Sequence, residues 1–237
     1  MEPQSKRHPV ASDVAAGVLL YLASLFVVGL LIPGGFAAGN PNSAGHFLAS
    51  EMLDALLLVS IPLYFILQIY AEPIVNFGFS APAPGRNIAT GVGTGVGLTL
   101  VSFGYGEVVE WFGYAYEHPY LELFSNSSSP TMSAAVVFAV VALLPVAEEI
   151  FFRGFIFSVL NRKMSTSAAI ITSATLFGIA HLSPLSLVFD VVFGVVLAVL
   201  LQKSTSLISP IAAHVTFNAI ALALTAAAGP RVELLGG

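Results

Sequence analysis

A chain of 237 residues in which 57% are hydrophobic and only 9% charged, at a mean hydropathy of +0.90, is too apolar to present a water-facing surface. The net charge of −5, with eight basic residues scattered singly or in pairs, leaves no footprint for nucleic acid, and the absence of cysteine excludes disulfides, thiolate metal sites and a cysteine nucleophile. Runs of ~20 apolar residues cross a ~30 Å hydrocarbon layer as helices and lack the short alternation of barrel strands. The reading is therefore all-α: a polytopic transmembrane helical bundle of about seven spans, integral to the bilayer.

A tail at residues 1–10 carries Lys6 and Arg7. A signal peptide also opens on basic residues, but the run 11–33 is of full spanning length and is expected to be a retained helix. Runs at 52–71 and 88–109 come next, and with a polar outer loop at 107–130 they complete an amino-terminal region, 11–130. One short amphipathic helix is expected around Glu107–Tyr120. The region 131–228 holds runs at 131–161, 167–182, 185–202 and 206–228, and residues 229–237 form a tail. At 1.5 Å per residue the fourth run makes roughly 46 Å of helix, so it must tilt, kink near Pro145 or enter the interface. The fifth is short and suits a helix shielded within the bundle. No internal repeat is visible.

Lys and Arg beside the spans favour the cytoplasmic side. Lys6 and Arg7, Arg86, Arg162 and Lys163, and Lys203 all fall on one side of this threading, while Arg231 in the tail dissents. The amino terminus and 161–166 are thus expected in the cytoplasm, with 107–130 and the carboxyl terminus outside.

A charged side chain at mid-membrane depth costs at least ~2.5–3.5 kcal/mol, so each one needs a reason. Asp13, Glu51, Asp54 and Glu107 lie near expected span ends and are read as interfacial; His8, His46 and His118 fall in the tail or loops. That leaves Glu148, Glu149, Arg153, His181, Asp190, His214 and Asn218. Glu149 and Arg153 stand i, i+4 and can pair along one helix face, whereas Glu148 is turned by about 100° from its neighbour. Phe177 lies one turn before His181, and His214 and Asn218 project together from another helix.

A structural clamp needs only one partner for Arg153. Two adjacent carboxylates, two histidines on different helices and an asparagine suit hydrolysis instead. A carboxylate beside a histidine can deprotonate a water, and a His–Asn pair can supply donors to the oxyanion that then forms. Glu148 and His181 are the expected water-activating pair, His214 and Asn218 the oxyanion stabilisers, with Glu149, Arg153 and Phe177 as support. No Ser or Thr within these motifs stands out as a nucleophile apart from Thr216, which is expected on the opposite face from His214 and Asn218. No cofactor is expected; zinc is the alternative within hydrolysis, because two His and a Glu can hold a catalytic metal, although ligands drawn singly from three helices make a poor zinc signature.

"EEIFFRG" (148–154), "FGIAH" (177–181) and "HVTFN" (214–218) resemble the EExxxR, FxxxH and HxxxN motifs of the CAAX-processing and bacteriocin-processing (CPBP, or Abi) family of intramembrane endopeptidases. The resemblance covers about residues 130–222 and implies a catalytic core in 131–228. It also implies a membrane-embedded protease acting on membrane-embedded or lipid-anchored peptides, since eukaryotic members trim prenylated CAAX proteins. By motif position it implies that Glu148 and His181 activate water while His214 and Asn218 form the oxyanion hole. Family members have also been labelled metalloproteases. Asp190 is not explained by the motifs. Two other classes remain open: a non-proteolytic immunity or scaffold protein, and a proton-coupled transporter, which would show flux in proteoliposomes rather than peptide cleavage.

Overall fold

The computed structural model describes residues 7–31, 43–114 and 129–228. Among them the chain forms seven main helices and no strand. α1 spans Ala11–Leu31; α2 spans Ser43–Tyr64 and continues as a π turn, Phe65–Ile69. α3 spans Pro84–Trp111, α4 Pro130–Leu160, α5 Thr166–Ala180, α6 Leu187–Ser204 and α7 Ile208–Ala228. Four stretches, Phe47–Ile69, α3, α4 and α6, are long and apolar enough to cross a membrane, and α1, α5 and α7 contribute shorter apolar segments. Leu19, Phe26, Leu100, Phe138 and Val188 are exposed on their helices, as a bundle immersed in lipid requires.

α4 is the central helix. Its residues from Phe151 to Phe157 are all buried, and Phe151, Phe155 and Ile156 pack with Leu58, Phe65, Ile66 and Tyr70 of the α2 region. Small residues let the neighbouring helices close up. A Cβ on Gly91 would collide with the Ser209 carbonyl oxygen, and one on Gly95 would lie 2.5 Å from that of Ala213, so α3 and α7 touch backbone to backbone. Gly194 of α6 meets Ala174 of α5 in the same way.

Helix ends and loops gather at one pole. Asp13, buried at the start of α1, accepts hydrogen bonds from Arg7 (2.7 Å), the Val10 amide (2.9 Å) and the Tyr70 hydroxyl (3.1 Å). Arg162, after α4, reaches both oxygens of Glu72 at 2.9 Å and lies 4.5 Å over the Phe77 ring. The Leu207 amide donates to the Gly78 carbonyl at 2.9 Å, and Ser80 Oγ donates to the Thr205 carbonyl at 2.6 Å. Burial alone would raise the Glu72 carboxyl, but hydrogen bonds from Asn76 and Arg162 and the Arg162 charge hold it below the ordinary glutamate value.

Three expectations need correction. α2 begins at Ser43, not near residue 52, because a charge at Glu51 does not stop a helix; Glu51 and Asp54 therefore lie inside it rather than at its end. α5 is not shielded on all sides, since Ile171 and Ile179 are 59% and 53% exposed. The helix expected around Glu107–Tyr120 is, up to Trp111, the continuation of α3, which a turn at Phe112 and Gly113 ends; residues 115–120 lie outside the described residues, as do Lys6, Glu122, Arg231 and the side chain of His46. Within α4 the backbone is in π register over Ala139–Leu143, just before Pro145, and again over Ile150–Phe157.

Candidate active site

The candidate residues converge where α4, α5, α6 and α7 meet. Glu149 and Arg153 are fully buried, and Arg153 Nη1 donates to Glu149 Oε1 at 3.0 Å, as the i, i+4 spacing suggests. The same guanidinium donates from Nη2 to the Gly194 carbonyl of α6 at 3.3 Å and lies 4.3 Å over the Phe177 ring of α5. Arg153 thus ties three helices together through a planar fork and a cation–π face, which a lysine could not do.

Glu149 Oε1 also accepts from His214 Nδ1 of α7 at 2.9 Å. A carboxylate can only accept, so Nδ1 carries the proton and Nε2 is the ring's other functional atom. That Nε2 lies 3.8 Å from Glu148 Oε2. His214 therefore stands between the two adjacent carboxylates, bonded to one and facing the other. Glu148 is the more open of the two, its side chain 20% exposed, yet its Oε2 is buried and accepts no hydrogen bond from the described residues.

His181 lies just past the end of α5, exposed, with Nδ1 donating to the Phe177 carbonyl at 2.9 Å. The same logic leaves its Nε2 as an acceptor. His181 and His214 flank Phe177, with ring centroids 4.5 and 6.1 Å from it, so Phe177 is the shared wall of the site. Among the described residues no hydrogen bond or ion pair joins His181 to Glu148; the ring that Glu148 faces is His214. Asn218 Nδ2 donates to the Val140 carbonyl of α4 at 2.9 Å.

Sequence reasoning left one residue without a role and missed a second acidic group. Asp190, to which the motifs assign no role, is buried in the first turn of α6, accepts from Ser186 Oγ at 2.6 Å and lies within electrostatic reach of both His181 and His214. Glu51, Asp54 and Tyr21 lie within reach of Glu148, and the Tyr21 hydroxyl donates to Asp54 Oδ2 at 3.3 Å. The i, i+3 spacing of Glu51 and Asp54 would have exposed them had the helix start been placed at Ser43. A groove of about 350 Å³ is lined by Gly78–Ala81, Ile150, Leu207, Ile208 and Ile211, none of them ionisable. Among the described residues no three His, Asp or Glu side chains form a group that could hold a metal ion.

The segment that brings these side chains together has known relatives. Residues 130–220 match the Rce1-like family of type II CAAX prenyl endopeptidases. This match bears out the resemblance carried by the three motifs and supports, at the level of the family, an intramembrane protease. The chain is also similar to "Putative membrane peptidase YdiL" of Bacillus subtilis (strain 168), 23% identical over 205 residues that cover 85% of this chain and 82% of the relative. No solved structure matches. The Rce1-like segment holds α4 to most of α7, hence all of Glu148, Glu149, Arg153, Phe177, His181, Asp190, His214 and Asn218.

Proposed function

We propose that this chain hydrolyses peptide bonds of membrane-embedded or lipid-anchored substrates, with prenylated CAAX-type proteins as the leading class, by a water that Glu148 activates. The observation that carries the reading is the facing of Glu148 Oε2 and His214 Nε2 at 3.8 Å, with the carboxylate oxygen buried and accepting no hydrogen bond from the described residues. A buried carboxylate oxygen without a hydrogen bond can accept one from a water, which is the arrangement a general base needs, and the facing His214 Nε2 puts an oxyanion donor beside it.

In this mechanism the water oxygen bonds to the substrate carbonyl carbon while its proton passes to Glu148. The tetrahedral intermediate collapses with cleavage of the C–N bond, and the proton returns to the departing amine. His181, through Nε2, is the second acceptor for the attacking water. His214, oriented by Glu149, is a donor to the developing oxyanion when Nε2 is protonated. Arg153 holds Glu149 and moves no proton.

Glu148→Gln keeps the side-chain shape and removes the base. In purified protein this variant is expected to fold as well as the parent and to lose ~10²-fold or more of the cleavage of an internally quenched, farnesylated CAAX peptide. Near-parental cleavage would mean that Glu148 is part of the structural clamp and that the glutamate mechanism is wrong.

A further inference from the structure

We infer that Asn218 is a positioning residue that supplies to α4 the hydrogen bond Pro145 cannot make, and so holds Glu148 and Glu149 toward His214. The inference deepens the proposed hydrolysis and uses it for one of its readouts.

Over Ala139–Leu143 the backbone of α4 is in π register, and the Leu144 amide donates to the Ala139 carbonyl five residues back. In α register the Val140 carbonyl would take its bond from Leu144, whose N–H is already engaged with Ala139. In π register it would take it from residue 145, which is proline and has no N–H. Either way the Val140 carbonyl loses its partner within the helix, in a buried segment where an unpaired backbone group is costly. Asn218 Nδ2 donates to that oxygen at 2.9 Å. The asparagine is thus matched to a defect that a proline five residues further on creates.

The defect governs the two carboxylates downstream of it. A π turn inserts one residue into the helix, rotating all later residues by about 100° relative to an unbroken α-helix. Glu148 and Glu149 lie within the first two turns after it. The turn therefore sets which face of α4 the carboxylates occupy, and the Asn218 bond fixes the turn from α7, one helical turn beyond His214. α7 grips α4 at two points, Asn218 on Val140 and His214 on Glu149. In this role Asn218 acts through α4, where the motif resemblance alone would make it an oxyanion donor.

A double-mutant cycle separates the two roles. Pro145→Ala restores an amide at 145 that can satisfy Val140 without help from α7. With the farnesylated quenched peptide, Asn218→Ala is expected to lower kcat by ~10-fold or more with little change in KM. In the Pro145→Ala background the same substitution should cost less than ~3-fold, a non-additive result that marks coupled sites. Equal losses in both backgrounds would make Asn218 a direct contact to the substrate and overturn the inference. Should the parent not cleave this peptide, the hydrolysis reading fails for that substrate, and the same cycle read by thermal midpoint in detergent decides the inference, additive midpoints overturning it. Should Pro145→Ala not fold, hydrogen exchange of Asn218→Ala replaces the cycle. Faster exchange at 139–149 with 166–180 unchanged is the expected result, and unchanged exchange at 139–149 overturns the inference.

Discussion

Arg153 shows how much one side chain can be asked to do in a bilayer. Its charge is matched by Glu149, its second arm by the Gly194 carbonyl and its face by Phe177. Removing it leaves Glu149 as an uncompensated buried charge, a change that costs ~3–5 kcal/mol in comparable pairs. Arg153→Ala should therefore lower the thermal midpoint and folded yield in detergent along with activity, and Arg153→Lys should recover only part of either. A variant of full stability and no activity would move Arg153 into the chemistry. The Glu149–Arg153 pair is legible in the sequence because i, i+4 spacing is a property of one helix. His214 between two carboxylates is not, because that contact joins residues 65 apart; nor is the nearness of Asp190 to His181, just past α5, and to His214 of α7. Motifs show which side chains belong to the set, while only the packing of four helices shows which one each faces.

Contact between elements depends on what is absent from them. Gly91 and Gly95 face α7 with backbone against backbone, while Gly93 and Gly97, on the same helix, have nothing within 4 Å of a Cβ. Gly95→Leu should force α3 from α7 and destabilise the bundle by about 1–3 kcal/mol or more, the usual cost of overpacking. Gly93→Ala and Gly97→Ala should hold or slightly raise the midpoint, since alanine is the better helix former by ~1 kcal/mol. Equal loss from all three substitutions would argue that α3 is packed differently. At this scale the sequence is informative about number and order: seven apolar runs correspond to the seven main helices among the described residues. It is least so about ends, because charge and polarity do not by themselves limit a span. Glu51 and Asp54 lie well inside α2, where a boundary drawn on hydropathy would leave them at the edge. The distortion at Pro145 is foreseeable from proline's missing N–H, but its form, a π turn whose open carbonyl is capped by a residue 78 positions away, requires α7 to be in place.

For the whole molecule the one-sided gathering of loops bears on orientation. Arg7, Arg86, Arg162, Lys163 and Lys203 belong to the segments that interlock through Asp13, Glu72, Gly78 and Thr205, so one pole of the bundle carries these basic residues. We propose that this pole is cytoplasmic. The native chain has no cysteine, so single cysteines can be labelled without background. Lys203→Cys should react with an impermeant maleimide only from the cytoplasmic face, and Trp111→Cys only from the opposite one; the reverse pattern would invert the topology. The same pole gives a pH dependence. Because the Glu72 carboxyl is held below its unfolded value, its contribution is complete above an unfolded glutamate value of about 4.3 and is lost as pH falls through the lower folded one. The midpoint difference between the parent and Glu72→Gln should accordingly shrink on acidification from about pH 6 to below 4. A difference that stayed constant or grew would assign the effect to packing rather than to the Arg162 ion pair.

The single tryptophan stands at the end of α3, 81% exposed, in edge contact with Phe112. Indole emission from this protein therefore originates at the rim of the bundle and is blind to the interior. A melting curve monitored by that emission reports when the end of α3 changes its surroundings, whether or not the four helices around Phe177 have separated. A probe of the interior has to be installed there: Trp111→Phe combined with Phe193→Trp would put the only indole beside His214, whose ring now lies 4.9 Å from Phe193, and make the light report on the site itself.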